Sequence, residues 1–305
     1  MNRKGSAISL GLVVVVLMCS AIAAHAKENE FSFRTVVFPG DTFTQLLGIN
    51  DADRIAGYHG SGADAQHPNK GFVLTLPNQF TAENFPNSAQ TQVIGINKLG
   101  STAGFYIDQA GVTHGFLLIK GILSTVDFPG TTFNQLLSLN DEDQAAGYFQ
   151  DQNGAQHPYI FDNNGGVFLQ ITIPGAASAQ ATGINNEGSI SGFFVDDAGN
   201  NHGFLLAAGK FTQLDVPGST FTQALGLNNR GEMVGVFMDG QITHGFVFKD
   251  GTFRAVDDPQ GVGTTTVNGV NDHGKIVGFF VDTTGNTDGF VAVPDDDRDD
   301  HDKDH

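Results

Sequence analysis

The segment running from Phe211 to Phe248, FTQLDVPGSTFTQALGLNNRGEMVGVFMDGQITHGFVF, reads as four short strands separated by turns. Phe211 to Val216 alternates in polarity and ends at Pro217, which has no N–H with which to continue a ladder. Gln223 to Leu227 is a second strand, and Asn228-Asn229-Arg230-Gly231 is a turn whose glycine can take the positive φ that closes a tight hairpin. Glu232 to Met238 is the third strand, Asp239-Gly240 starts another turn, and His244 to Phe248 is the fourth. Nowhere in the segment do apolar residues recur with the 3.6-residue period of an amphipathic helix.

The same unit occurs six times. An apolar-Asn motif recurs at Gly48-Ile49-Asn50, Gly95-Ile96-Asn97, Ser138-Leu139-Asn140, Gly183-Ile184-Asn185, Gly226-Leu227-Asn228 and Gly269-Val270-Asn271, so the asparagines step by 47, 43, 45, 43 and 43 residues. Seven residues beyond each stands a glycine, at Gly57, Gly104, Gly147, Gly192, Gly235 and Gly278. Each unit also carries a proline, at Pro39, Pro86, Pro129, Pro174, Pro217 and Pro259. Four short antiparallel strands in about 43 residues, repeated, predict an all-β chain built as a six-bladed β-propeller.

The ends of the repeat array test closure. The stretch from Phe31 to Phe38 corresponds to the strand before the proline, while the last unit ends with the strand from Gly289 to Val293 and lacks its own outer strand. An N-terminal strand that completes the sixth blade accounts for both and removes exposed sheet edges. The alternative is an open β-solenoid, which needs no complementary ends. In a ring, the strand after the proline is innermost. Strict alternation would point Leu47 and Ile49 one way and Gly48 and Asn50 the other. With 26 Phe and no Trp, phenylalanine is expected to fill the layers between blades.

Two segments fall outside the repeats. Residues 1–26 read as a signal peptide: Arg3 and Lys4 precede an apolar run from Ala7 to Ala24, and Ala24-His25-Ala26 offers a cleavage point. An uncleaved anchor is the alternative, and lipidation at Cys19 is a third, disfavoured by the bulk of Met18. Cys19 is the chain's single cysteine, so the domain spanning 27–294 is expected to hold together by packing alone. Residues 295–305 carry seven aspartates and read as a disordered acidic tail. The chain's formal charge of −18 becomes −15 on the repeats once both ends are subtracted, which disfavours nucleic acid and anionic membranes as partners. The expectation is a secreted, extracellular or periplasmic protein, monomeric and free of the membrane after cleavage.

The motif of Gly-Ile-Asn, a glycine seven residues on, and then His-Gly-Phe, as in His114-Gly115-Phe116, His202-Gly203-Phe204 and His244-Gly245-Phe246, resembles the HAF family of bacterial extracellular repeats. That family is named for a His-Ala-Phe triplet, and glycine stands here for alanine. The resemblance spans all six units and implies export and a repeat architecture, with no defined activity. His157-Pro158-Tyr159 and Asp288-Gly289-Phe290 depart from the triplet, so the histidine is dispensable to the unit.

Chemistry is harder to find. His67, His114, His157, His202 and His244 occupy comparable positions, but two strands out from the axis they stand too far apart to share one ion, so no metal or other cofactor is expected. Five residues before the asparagines stand Gln45, Gln92, Gln135, Gln180, Gln223 and Thr266, amides and a hydroxyl that can converge on a central channel or bond the neighbouring blade. Odd units carry Phe43, Phe133 and Phe221 two residues earlier still, an apolar surface at one mouth or wedges between blades. Even units share hairpins around Asp108, Asp196 and Asp282, which points to a two-blade ancestor copied three times. No nucleophile elbow, zinc-protease helix or phosphate loop occurs. The expected function is therefore a non-catalytic binding module taking a glycan or peptide at the axial mouth. The alternatives are a polysaccharide hydrolase or lyase with carboxylates assembled only in three dimensions, and a structural surface protein.

Overall fold

The computed structural model describes residues 31–295; the signal segment, Cys19 and all but the first residue of the acidic tail lie outside the described residues. In chain order the strands are β1 (Phe31–Val36); β2 to β5 (Thr44–Ile49, Arg54–His59, Lys70–Thr75, Gln79–Ala82); β6 to β9 (Gln90–Ile96, Thr102–Ile107, Thr113–Ile119, Ile122–Val126); and β10 to β13 (Asn134–Leu139, Gln144–Gln150, Gln156–Asp162, Val167–Gln170). They continue as β14 to β17 (Ser178–Ile184, Ile190–Val195, Asn201–Ala207, Lys210–Leu214); β18 to β21 (Thr222–Leu227, Met233–Asp239, Ile242–Lys249, Thr252–Val256); and β22 to β24 (Thr266–Val270, Ile276–Val281, Thr287–Pro294). Each group of four forms one antiparallel sheet, and the sixth sheet has the order β1-β24-β23-β22. The ring is a six-bladed propeller closed by its N-terminal strand, which pairs with β24 from Phe31 opposite Pro294 to Val36 opposite Gly289.

Packing runs between blades. Leu46, Ile49, Ile55, Phe72 and Leu74 of blade one share a buried cluster with Val36, Val277 and Val291 of blade six, so the closing seam is built like the others. The repeated glycine seven residues past the asparagine has a steric cause. A Cβ on Gly57 would lie 2.4 Å from the Gln45 carbonyl oxygen and 2.9 Å from the Phe72 ring that crosses it. Gly192 sits in the same way against Gln180 and Phe204, which is why the glycine and the aromatic of the triplet recur together.

The glycine of the triplet faces the next blade. A Cβ on Gly245 would lie 2.5 Å from Val267, and one on Gly289 2.7 Å from Leu46. At blade three Pro158 stands in place of that glycine and faces the small Ala181, where Leu46, Val93, Leu136 and Val267 stand in four of the other blades and Ala224 in the fifth.

The innermost strands depart from the strict alternation expected of them. Leu46 lies opposite Gly57 and Gly48 opposite Ala56, so Leu47 is an extra, bulged residue. The bulge recurs at Ile94, Leu137, Thr182, Leu225 and Asn268. A bulge bends its strand and re-aims the residues around it. Here it turns one residue per blade onto the axis, and all six line the central cavity.

Candidate functional site: the axial mouth

Where the innermost strands end, the repeated asparagines form a closed circle. Each side-chain amide donates to the backbone carbonyl of the asparagine in the next blade: Asn50 to Asn97 (2.9 Å), Asn97 to Asn140 (3.1 Å), Asn140 to Asn185 (3.1 Å), Asn185 to Asn228 (3.2 Å), Asn228 to Asn271 (2.9 Å), and Asn271 back to Asn50 (3.3 Å). Each Oδ1 accepts the backbone N–H groups two and four residues on, as Asn140 does from Glu142 (3.1 Å) and Gln144 (2.9 Å), and so shapes the following hairpin turn. All six are buried, so every polar atom needs a partner, and only an amide of this length offers donor and acceptor together. The sequence signal for this circle was the asparagine repeat itself, which spacing alone presents only as a marker of register.

One residue further out lies a second ring: Asp51, Lys98, Asp141, Asn186, Asn229 and Asp272. Here the backbone N–H of one blade donates to the side chain of the next: Lys98 to Asp141 (2.9 Å), Asp141 to Asn186 (2.9 Å), Asn186 to Asn229 (2.8 Å), Asn229 to Asp272 (2.8 Å), and Asp272 to Asp51 (2.8 Å). The second carboxylate oxygens are used as well. Asn186 Nδ2 donates to Asp141 Oδ2 (2.7 Å), Lys98 Nζ lies 3.3 Å from the same atom, and Asn229 Nδ2 donates to Asp272 Oδ2 (2.8 Å). The two rings and the bulged residues enclose a cavity of about 110 Å³ on the axis. Its floor is Leu47, Ile94, Leu137 and Leu225, with Thr182 and Asn268 tied to the next blade through the Ala224 and Leu46 carbonyls.

The glutamines are not among the residues that line this cavity. They lie toward the start of the inner strands and bond within the wall. Tyr58 donates to Gln45 (2.7 Å) and Tyr148 to Gln135 (2.9 Å), while Gln180 donates to Gln156 (2.9 Å) and Gln223 to Asn201 (2.8 Å) of the preceding blade. Gln92 and Thr266 are half-buried at the same level of β6 and β22. Phe43 and Phe133 lean on Tyr58 and Tyr148, each with ring centroids 5.9 Å apart. The backbones of Phe43, Phe133 and Phe221 bridge to the preceding blade at Thr287, Thr113 and Asn201, which places them in the seams.

The histidines form an outer rim, with one correction. His67 is out of register: it is exposed, its ring pairs with its neighbour Asp64, and Lys70 holds the position of His114 in the strand. An imidazole still occupies that blade, supplied by His59, which stacks on Phe38 at 3.6 Å and bonds Asp41 at 2.8 Å. Elsewhere His114 pairs with Asp127, His157 with Asp151, His202 with Asp215 and Asp196, and His244 with Asp257. Burial works against a charge on His202, but the two carboxylates outweigh it and hold the pKa above the ordinary value. Hydrogen bonds from Asn200 foremost, then from His202 and the Ala198 N–H, hold Asp196 well below the usual carboxylate range. Among the described residues, no group of three or more His, Cys, Asp or Glu is placed to hold a metal ion.

Blade six breaks the rim. Asp258 stands where the other linkers carry Phe38, Phe85, Phe128, Ile173 and Val216, is 2% exposed, and has an Oδ2 with no hydrogen-bond partner. Burial pushes its carboxyl pKa up, and the charge of Asp288, which replaces the rim histidine, adds to the rise.

No family model matches the chain, and no curated protein does. Solved structures match the architecture. The chain is similar to TolB from Acinetobacter baumannii (12% identity, TM-score 0.54, 82% of this chain and 63% of that one). It is similar to the β-propeller domain of the Trilobed protease from Pyrococcus furiosus (11%, TM-score 0.51, 82% and 95%). A third is the Aleuria aurantia lectin in complex with Fucα1-6GlcNAc (10%, TM-score 0.50, 88% and 98%). At these identities the likeness is one of fold. Among the described residues no helix is long and apolar enough to cross a membrane.

Proposed function

We propose that this protein is an exported, non-catalytic binding module of the HAF-repeat kind, which takes the end of a neutral glycan or a peptide segment at its axial mouth. The observation that supports this most is the second ring: six side chains around one opening, five of them oriented before any ligand arrives by blade-to-blade hydrogen bonds of 2.8–2.9 Å. Preset donors and acceptors lower the ordering cost of binding. Three carboxylates against one ammonium at the mouth favour a neutral ligand over a polyanion.

The hydrolase reading draws support from Asp51, Asp141 and Asp272 facing one opening. Glycoside hydrolysis needs one carboxyl kept protonated as the acid. Asp141 and Asp272 each accept hydrogen bonds at both oxygens from N–H donors of the ring itself, so both carboxylates are already engaged in holding it together. That argues for anchoring acceptors rather than for an acid–base pair. A glycan and peptide array probed with the processed protein tests the proposal. Binding that Asn229→Ala and Asp272→Ala both weaken is the expected result, and turnover of any bound glycan would overturn the non-catalytic reading.

A further inference from the structure

The second ring has five links where the asparagine circle has six. Every member of it donates its backbone N–H to the side chain of the next blade except Asp51, whose neighbour is Lys98. A lysine has donors only, so among the described residues the Asp51 N–H meets no acceptor. The Lys98 side chain turns instead toward the following blade, its ammonium 3.3 Å from Asp141 Oδ2. At one point of the rim a backbone donor, the Asp51 N–H, therefore faces the mouth without an acceptor. Elsewhere on the rim the carboxylates of Asp51, Asp141 and Asp272 offer acceptor capacity, and beneath lies an apolar floor of Leu47, Ile94, Leu137 and Leu225.

We infer that this gap is the recognition point for the acetamido group of an N-acetylated amino sugar. The inference rests on the binding reading above. The carbonyl oxygen takes the place of the missing side-chain acceptor at the Asp51 N–H. The amide N–H donates to a rim carboxylate. The methyl group packs onto the leucine floor, where a cavity of about 110 Å³ admits a group of this size and leaves the sugar ring at the rim. An amide has one strong acceptor, one donor and one methyl, and each meets its complement. A free hydroxyl offers an acceptor and a donor but no methyl for the floor, and a protonated amine offers the Asp51 N–H no acceptor.

The test is calorimetric titration of the processed protein with tri-N-acetylchitotriose and with cellotriose, repeated on Lys98→Asn, which supplies the missing acceptor and closes the ring. The acetylated trimer is expected to bind at least about tenfold tighter than cellotriose, because a site built around a polar group rejects the analogue that lacks it. Lys98→Asn should erase that preference while keeping its melting temperature, since Asn already occupies two of the six positions. Equal binding of both trimers, or an undiminished preference in Lys98→Asn, overturns the acetamido assignment and leaves the axial reading standing. Binding of neither trimer also overturns the assignment. The axial reading itself falls only if ligands found on the array still bind Asn229→Ala and Asp272→Ala undiminished.

Discussion

The two rings at the axis differ by one residue in sequence and by everything in chemistry. The asparagine circle is buried, identical in all six blades and closed by six hydrogen bonds. The ring beyond it faces the mouth, mixes Asp, Asn and Lys, and stops one link short. Identity around a ring is what sealing requires, because each blade must offer the same donor to the same acceptor. Variation around a ring gives it a direction, and a directional mouth can hold an asymmetric ligand. The step from structure to recognition thus falls between Asn50 and Asp51 in blade one and between the equivalent neighbours in the other five.

The largest effect should come from opening the circle altogether. Removing residues 27–38 deletes β1, leaves β24 with a bare edge and exposes Phe290; the melting temperature should fall by roughly 10 °C or more in a thermal scan, or the chain should fail to fold. An unchanged melting curve would mean the ring does not depend on its closing strand. Next, Gly192→Ala forces a methyl group to 2.1 Å from the Gln180 carbonyl and onto the Phe204 ring, and should cost about 2–4 kcal/mol in denaturant unfolding.

The two rings can then be separated by one substitution in each. Asn140→Ala strands the Glu142 and Gln144 N–H groups and removes one of two donors to the Asn185 carbonyl; it should cost about 2–3 kcal/mol with little direct effect on ligand. Asn186→Ala, its neighbour, should cost under about 1 kcal/mol and show its effect in binding. Equal stability losses would erase the distinction drawn between the rings.

Two smaller effects concern pH. Asp258 has a raised folded pKa, so its contribution to stability is greatest below the unfolded value of 3.8 and is lost as pH rises through the folded one. Asp258→Val, which restores the apolar residue of the other linkers, should therefore raise the melting temperature at pH 7 by a few degrees and change it little at pH 3. His202, with its pKa also raised, stabilises below its unfolded value of 6.5 and loses that contribution as pH climbs through the folded one. Its screened position makes this the smallest effect, visible as a flatter stability profile between about pH 6 and 8 in His202→Gln.

The blade count, the four strands per blade and the closing role of Phe31–Val36 were legible because they rest on local period and on matching ends. The inner-strand bulge was not. Leu47 carries no turn residue or proline to announce it, and its effect is felt against Gly57 on the neighbouring strand. His67 misled for a related reason: it stands close to its expected place in sequence, while the strand position itself is held by Lys70 and the blade's rim imidazole, His59, sits on the opposing strand where other blades carry Tyr106 or Phe149. The glutamines were legible as a ring, but whether an amide faces the axis or the wall depends on Tyr58 and Tyr148, thirteen residues away in each case.

Sequence by itself determined the architecture of this protein, because a 43-residue period with a glycine under every aromatic leaves few ways to bury six small sheets other than against one another. The candidate site was decided only by tertiary structure. Its hydrogen bonds join residues 43 to 45 apart and, at the closing seam, 221 apart, and its one missing link is visible only when Lys98 is set beside Asp51. Hydrogen bonds act over less than 3.5 Å, and closing the ring is what brings those residues within that range.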